Sequence, residues 1–401
     1  MKNITNSTVL HTGCCKACCS TLAEYVLSRA TAFLPVLCTL AVATLFLFGN
    51  AAAQTPDEPA EQGLLPTLSY SSDAGLGLGG LYQFHQFNGG SRIKSLYRLS
   101  ASAYFNEGFS LSGSMEERFT DAHRLTIAGA ANQMSSAYFF GRGGATVFNE
   151  GDFNKYSRVY LDLSAEYGMR VGESGPASRV EFIYGARIGY IKNYDIDNTL
   201  LEDLSPRGYE GGFRQSFSLG LKGDFRDDVF RPASGQTFSL SLEYFPSQLG
   251  NEMSLGKLNG SVSAFRQFNF ITDVVVAARL SGEQILARSP YYELSTLGGE
   301  HTLRGYVLER FRDYGSVVAN LELRTWLFEI PALRMEFGGQ LFTDAGALYV
   351  HPFELDWMNN IKTTAGFGGA VALFNRDFII RGDLGFSNES WRLYSGIGYM
   401  F

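Results

Sequence analysis

The sequence predicts an all-β chain, a sixteen-stranded antiparallel transmembrane barrel, on three observations. Polarity alternates residue by residue through most of the chain, no apolar run after the N-terminal leader is long enough for a membrane helix, and the connections between alternating segments are long at one end only.

The leader comes first. Residues 32–49 are nearly all apolar, Arg29 stands just ahead, and the small residues Ala51 and Ala53 follow. This reads as a signal peptide over 1–53, cleaved after Ala53. A membrane anchor is the alternative, since the run is about long enough to span. The length of the leader also leaves the start codon open. Cys14, Cys15, Cys18, Cys19 and Cys38 all precede the cleavage site, so the exported chain would carry no thiol into an oxidising periplasm. The Cys14–Cys19 cluster has metal-ligand spacing, but it falls in a segment that is removed. Leu37 stands before Cys38 where a lipoprotein needs a small residue. Taking Lys2, Lys16, Arg29 and Glu24 from 33 basic and 40 acidic residues leaves 30 and 39, a net charge of −9. That excludes a general nucleic-acid surface. Residues 54–63, with Pro-Asp-Glu-Pro-Ala-Glu, read as a disordered periplasmic tether.

The barrel is expected over 64–401. Successive side chains of a strand face opposite sides, so alternation separates lipid from lumen. Val159, Leu161, Leu163, Ala165, Tyr167 and Met169 form one face of a strand, and Asp162, Ser164, Glu166 and Arg170 lie on the other. Fifteen such segments occur, at 74–85, 94–105, 109–118, 123–133, 157–170, 179–191, 213–225, 236–246, 255–269, 273–286, 315–328, 333–349, 363–374, 377–387 and 391–401. Single-chain bacterial barrels have an even strand number, so Leu64–Ser71 supplies the first strand, a short one. Trp391, Leu393, Ile397, Tyr399 and Phe401 are expected to share the lipid face of the last. With both termini periplasmic, the long connections 134–156, 192–212, 287–314 and 350–362 all fall outside and the short turns inside, the asymmetry of outer-membrane barrels. A soluble sandwich also alternates; segment length, aromatic ends and the terminal Phe401 favour the membrane form.

Enzyme motifs are missing. H-E-x-x-H, G-x-S-x-G and a P-loop do not occur, and the Gly75–Gly80 match to G-x-G-x-x-G lies inside an alternating strand with no helix to receive a phosphate. His85, His123, His301 and His351 are isolated. The expectation is no enzyme, no cofactor and no metal.

The connection 287–314 carries Gly298-Gly299-Glu300-His301-Thr302-Leu303-Arg304-Gly305-Tyr306. This resembles the sixth outer loop of the bacterial surface antigen superfamily, the family of the BamA and TamA assembly barrels and the two-partner-secretion transporters. In that family the loop folds into the lumen and its tip docks on the inner wall. The resemblance thus implies a lumen-docking motif at Leu303, Arg304, Gly305 and Tyr306. Phe342-Thr343-Asp344-Ala345-Gly346 is similar to the family's F-x-D-x-G docking strand, and Asp224-Phe225-Arg226-Asp227-Asp228 with Pro232 and Gly235 resembles its D-x-R-D turn. Tyr399 and Phe401 match its C-terminal sorting signal. Asn320 replaces a family glycine before Leu321-Glu322. Relatives with known roles carry periplasmic polypeptide-transport-associated (POTRA) domains, and the resemblance is to a barrel-only branch.

The docking has its own physical logic. Alternation places Glu322, Arg324 and Asp344 on the lumen side, where a guanidinium can fork onto carboxylates, and the F-x-D-x-G resemblance adds Gly346 to the docking wall. The expected function is assistance of protein, or lipid, insertion or transport through a weak seam between the first and last strands, whose short first and glycine-rich second members suggest poor pairing. The alternative is a passive barrel or pore gated by the loop. A third reading, an outer-membrane lipid hydrolase, finds no Ser/His pair. Expected partners are outer-membrane lipids, the assembly machinery during biogenesis, and client proteins or a separately encoded periplasmic partner.

Overall fold

The computed structural model describes residues 60–87, 93–106, 108–269, 272–351, 358, 360–373 and 378–401. The leader, and the tether as far as residue 59, lie outside them. All the described residues belong to one barrel and its connections.

Alternating sequence becomes long strands. They are β1 (Ala60–Ser71), β2 (Gly75–Phe87), β3 (Ile93–Tyr104), β4 (Gly108–Arg118), β5 (His123–Tyr138), β6 (Lys155–Arg170), β7 (Val180–Tyr194), β8 (Gly211–Asp224), β9 (Ser234–Phe245), β10 (Leu255–Asn269) and β11 (Asp273–Ile285). A small hairpin, β12 (Ser295–Leu297) and β13 (Phe311–Asp313), lies in the next connection. The wall resumes with β14 (Gly315–Ile330), β15 (Met335–Tyr349), β16 (Lys362–Leu373), β17 (Phe378–Phe386) and β18 (Trp391–Ile397). Without the hairpin, sixteen strands pair in sequence order, antiparallel, and β1 meets β18. The hairpin was not foreseen.

The inside–outside pattern follows the alternation. On β6, Leu161, Leu163 and Tyr167 are exposed outward, while Glu166 and Arg158 make lumenal ion pairs. On β15, Leu341 is exposed and Gln340 and Asp344 are buried inside. The outer connections pack on one another: Phe139, Tyr156, Leu201 and Tyr291 form a buried cluster. Leu201 sits on α1 (Leu200–Leu204), whose first turn is capped by the Thr199 side chain. No helix among the described residues is long and apolar enough to cross a membrane.

Two expectations about the ends need correction. β1 begins at Ala60, so residues 60–63 are strand rather than tether, and β1 is not short. It pairs with β2 along its whole length, from Ala60↔Gln86 to Ser71↔Gly75. Glycines on β2 cost side-chain contacts, not backbone bonds, so this pair stays in register. The weak join is between β1 and β18, where only Ser71↔Tyr394 registers. Beside it the Ser72 N–H donates to Leu393 O at 3.0 Å, and the Tyr70 N–H donates to Ser395 Oγ at 2.9 Å. Towards the periplasm, side-chain packing takes over: Phe378 of β17 packs with Leu65 and Leu81, and its ring fills the space where a side chain on Gly63 would stand.

The other correction concerns the C-terminus. β18 stops at Ile397, and Gly398 adopts φ +71°, which bends the chain away from the strand path. The Gly398 N–H donates to Ile379 O at 2.8 Å. Trp391, Leu393 and Ile397 are exposed on the outer face, but Tyr399 and Phe401 turn into the lumen. The lipid face assigned to them from periodicity ends where the strand ends.

A loop docked on the inner wall

The connection 286–314 enters the lumen from the outer end, and it is built from its root inward. At the root the Glu293 carboxylate accepts from Arg214 of β8 and pairs with Lys257 Nζ at 3.2 Å. β12 and β13 then bring the two arms together. Beyond them Thr302 Oγ1 accepts from Gly298 N at 2.9 Å and closes the tip. Leu297, Leu303, Tyr306 and Phe311 bury their apolar surface against Val318 of β14 and Leu348 of β15. The absence of a side chain on Gly346 leaves room for Leu303 and Leu297 there.

Arg304 is fully buried. Its Nε and Nη2 donate to Asp344 Oδ2 and Oδ1 at 3.0 and 2.8 Å, and its backbone N–H donates to the same carboxylate at 3.1 Å. Nη1 donates to Glu322 Oε1 at 2.6 Å. The guanidinium lies 3.5 Å from the centre of the Phe342 ring. Forked charge-assisted bonds and a stacked aromatic face are geometry that lysine cannot reproduce. Arg324 completes the wall, donating from Nε to Glu322 Oε2 at 2.8 Å and from Nη2 to the Phe401 carbonyl at 3.0 Å. The inward-turned C-terminus is thus tied to the same carboxylate pair, and Tyr399 stacks on the Arg324 guanidinium at 4.1 Å.

Several contributors were not legible in the sequence. Asp383 of β17 lies 3.5 Å from Arg304 Nη1 and is itself held by Arg381. Tyr394 of β18 donates its hydroxyl to Tyr306 O at 3.0 Å. Gly305, at φ +108°, lets the loop backbone lie against that of Gly385 and Phe386, where a side chain would collide. Asn320, the departure from the family glycine, bridges loop and wall: its Nδ2 donates to Thr302 O at 2.9 Å and to Asp344 Oδ1 at 2.8 Å. Gly305 belongs to the docking motif singled out in the sequence, but no short-range pattern announces Asp383, Tyr394, Gly385 or the role of Asn320, because each acts across strands distant in sequence.

A second tier holds the loop nearer the outside. Glu309 accepts from both Arg158 terminal nitrogens at 2.9 Å and from Arg312 at 3.1 Å. Burial raises the Glu309 carboxyl pKa, but Arg158 and Arg312 outweigh burial and hold it at about 2. Arg310 forks onto Glu389 in the β17–β18 connection. The constellation is suited to holding a segment in place. Among the described residues no cluster of His, Cys, Asp and Glu is arranged for a metal.

The Omp85 superfamily domain matches residues 92–374, well over half of the chain. The chain belongs to the Omp85 superfamily. Among solved structures it is similar to BamA from Haemophilus ducreyi lacking POTRA domains 1–3, with 14% identity and TM-score 0.53 over 85% of this chain and 70% of that one. It is also similar to CdiB from Escherichia coli, with 13% identity and TM-score 0.58 over 86% and 64%. CdiB from Acinetobacter baumannii gives 10% identity and TM-score 0.51 over 85% and 65%. The chain therefore spans just under two thirds of each CdiB chain. At these identities the likeness is one of fold. No curated protein sequence matches. With the family established, this Omp85 protein is an outer-membrane β-barrel.

Proposed function

We propose that this Omp85 barrel assists the insertion or translocation of polypeptide, or of lipid, at the outer membrane through a lateral seam between β1 and β18. The observation that carries the reading is that a single pair registers at that seam among the described residues, Ser71↔Tyr394, whereas β17 and β18 register from Ile380↔Ile397 to Phe386↔Trp391. Backbone groups without partners are costly in hydrocarbon, so a sparsely bonded edge within the membrane is a place for an incoming strand to pair.

The loop supports this reading. Its Leu308 N–H donates to Asp73 Oδ1 in the β1–β2 turn at 3.2 Å, and Tyr306 Oη donates to Asn388 Oδ1 in the β17–β18 connection at 2.6 Å. One docked segment therefore touches both sides of the seam. The resemblance to assembly barrels points the same way, and a separately encoded periplasmic partner would supply client capture.

Tyr70 and Ser395 lie opposite one another across the seam, and the cysteines of this chain all precede residue 39. The double variant Tyr70→Cys/Ser395→Cys can therefore be locked by oxidation. In cells depleted of the wild-type protein, the reduced variant should restore the outer-membrane proteome and the locked variant should not. Full complementation by the locked form would overturn the seam reading in favour of a passive barrel.

A further inference from the structure

The β8–β9 connection, 225–233, which continues the D-x-R-D segment begun at Asp224, lies at the periplasmic end of the lumen, and a cavity of about 290 Å³ opens between it and β3–β8. Seven cationic side chains line the cavity against four carboxylates, in a chain whose net charge is −7. The carboxylates are already engaged. Glu181 accepts from Arg118 and Arg124, both at 2.9 Å, and Glu116 lies 3.7 Å from Arg124. Asp224 is forked by Arg226, and Asp227 caps the turn, accepting from Ala233 N and Ser234 N at 3.1 Å.

Three cations make no hydrogen bond to a carboxylate among the described residues, although the charge of Glu116 reaches Arg98 and that of Asp224 reaches Lys222. Arg98 of β3 donates from Nε to Gln83 Oε1 at 3.1 Å. Arg179, just before β7, donates only to the Arg226 carbonyl at 3.2 Å. Lys222 of β8 lines the cavity on the same strand as Asp224. Alternation points Arg98 and Lys222 into the lumen, and Ile93, Leu96 and Val229 give the cavity an apolar side.

We infer that this cavity is an anion site that takes a phosphate group, held by Arg98, Arg179 and Lys222 beside the D-x-R-D turn. Guanidinium forks match phosphate oxygens, and a low-dielectric wall focuses the field of the cations in excess over the carboxylates. The volume suits a phosphate or a phosphodiester headgroup, not a folded partner. The inference stands apart from the seam, since no residue of β1 or β18 lines the cavity.

The test uses the full barrel purified in a non-ionic detergent and titrated with inorganic phosphate and, separately, with short-chain phosphatidylglycerol and phosphatidylcholine. Saturable binding of phosphate and of phosphatidylglycerol is expected, weakening as salt rises. Each of Arg98→Gln and Lys222→Gln should weaken it roughly tenfold, the scale of one lost charge-assisted bond. Arg98→Lys should keep most of it. Lys192→Gln, at the outer end of β7, is the control, and heat-modified gel mobility checks folding. Phosphate binding without preference between the two lipids would assign the site to the free ion. Absent saturable binding, or unchanged affinity in a folded Arg98→Gln/Lys222→Gln variant, would overturn the site.

Discussion

The wall under the loop joins two consecutive strands and the seam joins the first strand to the last, and the two are built in opposite ways. β14 and β15 register from Gly315↔Tyr349 to Ile330↔Met335, and over them a buried arginine engages two carboxylates. The seam has one registered pair and, lower down, an apolar contact at Phe378. Directional, hard-to-replace bonds hold the loop in the lumen, while the barrel wall is left weakest at its last join. The division fits the proposed function, in which the lumen stays ordered while that edge opens.

Removing the loop's anchor should have the largest effect. Arg304→Ala leaves Asp344 and Glu322 buried without it, which for a buried pair costs about 3–5 kcal/mol, less where lumenal water enters. The barrel should stay folded and the loop loosen, seen as larger or noisier single-channel currents in planar bilayers. Asp344→Ala should look alike, and the double variant should add little. Silent single variants would mean that the loop is held elsewhere, and the contrast with the seam would fail.

Lipid-facing charges probe the wall itself. Leu161→Arg should cost roughly 2–4 kcal/mol for folding into vesicles if it lies near the bilayer midplane. Ile397→Arg, where β18 ends, should cost less, because the strand gives way at Gly398. Ser164→Arg, on the lumenal face, should be milder than Leu161→Arg; equal penalties would undo the inside–outside assignment.

At the seam, Phe378→Ala removes the packing against Leu65 and Leu81, a loss of up to about 3 kcal/mol at the low end for a buried aromatic. Hydrogen exchange should then quicken in β1 while β14 and β15 stay protected. Exchange that rises equally in all three would show one cooperative wall rather than two regimes.

The smallest expected effect is at Asn320. Asn320→Gly restores the residue usual in the family and deletes the bonds to Thr302 and Asp344, about 1 kcal/mol. Its current noise should rise slightly, well short of Arg304→Ala. Acid tests the outer tier without mutation. The folded pKa of Glu309 lies below its ordinary value of 4.5, so its contribution is present above that value and fades as pH falls towards 2. Loop noise traceable to Arg158 should therefore appear between those limits and not at pH 5.

Much of the wall was legible because the side-chain period of a strand is local: Leu161 and Asp162 declare their faces whatever strand lies beside them. The resemblance to the family singled out the motif around Arg304 and its partner Asp344, and alternation put Glu322 and Asp344 on the lumen side. Asp383, Gly385, Tyr394 and the role of Asn320 could not be singled out, since alternation says that a side chain points inward but not which of the other strands it meets.

By itself the sequence determined the strand number, the faces of the strands, the side on which the long connections lie and the presence of a loop with an arginine tip. These rest on periodicity and on connection length, which involve neighbours along the chain. Only the tertiary structure decided where the barrel is weak, how the C-terminus turns, and what the arginines hold. Closure sets the β1–β18 register through all the intervening strands at once, so the full pairing of β1 with β2 does not guarantee a matching edge on its other side. Gly398 then ends the alternation that Tyr399 and Phe401 would have continued, and a lumenal guanidinium, Arg324, takes both rings from the lipid.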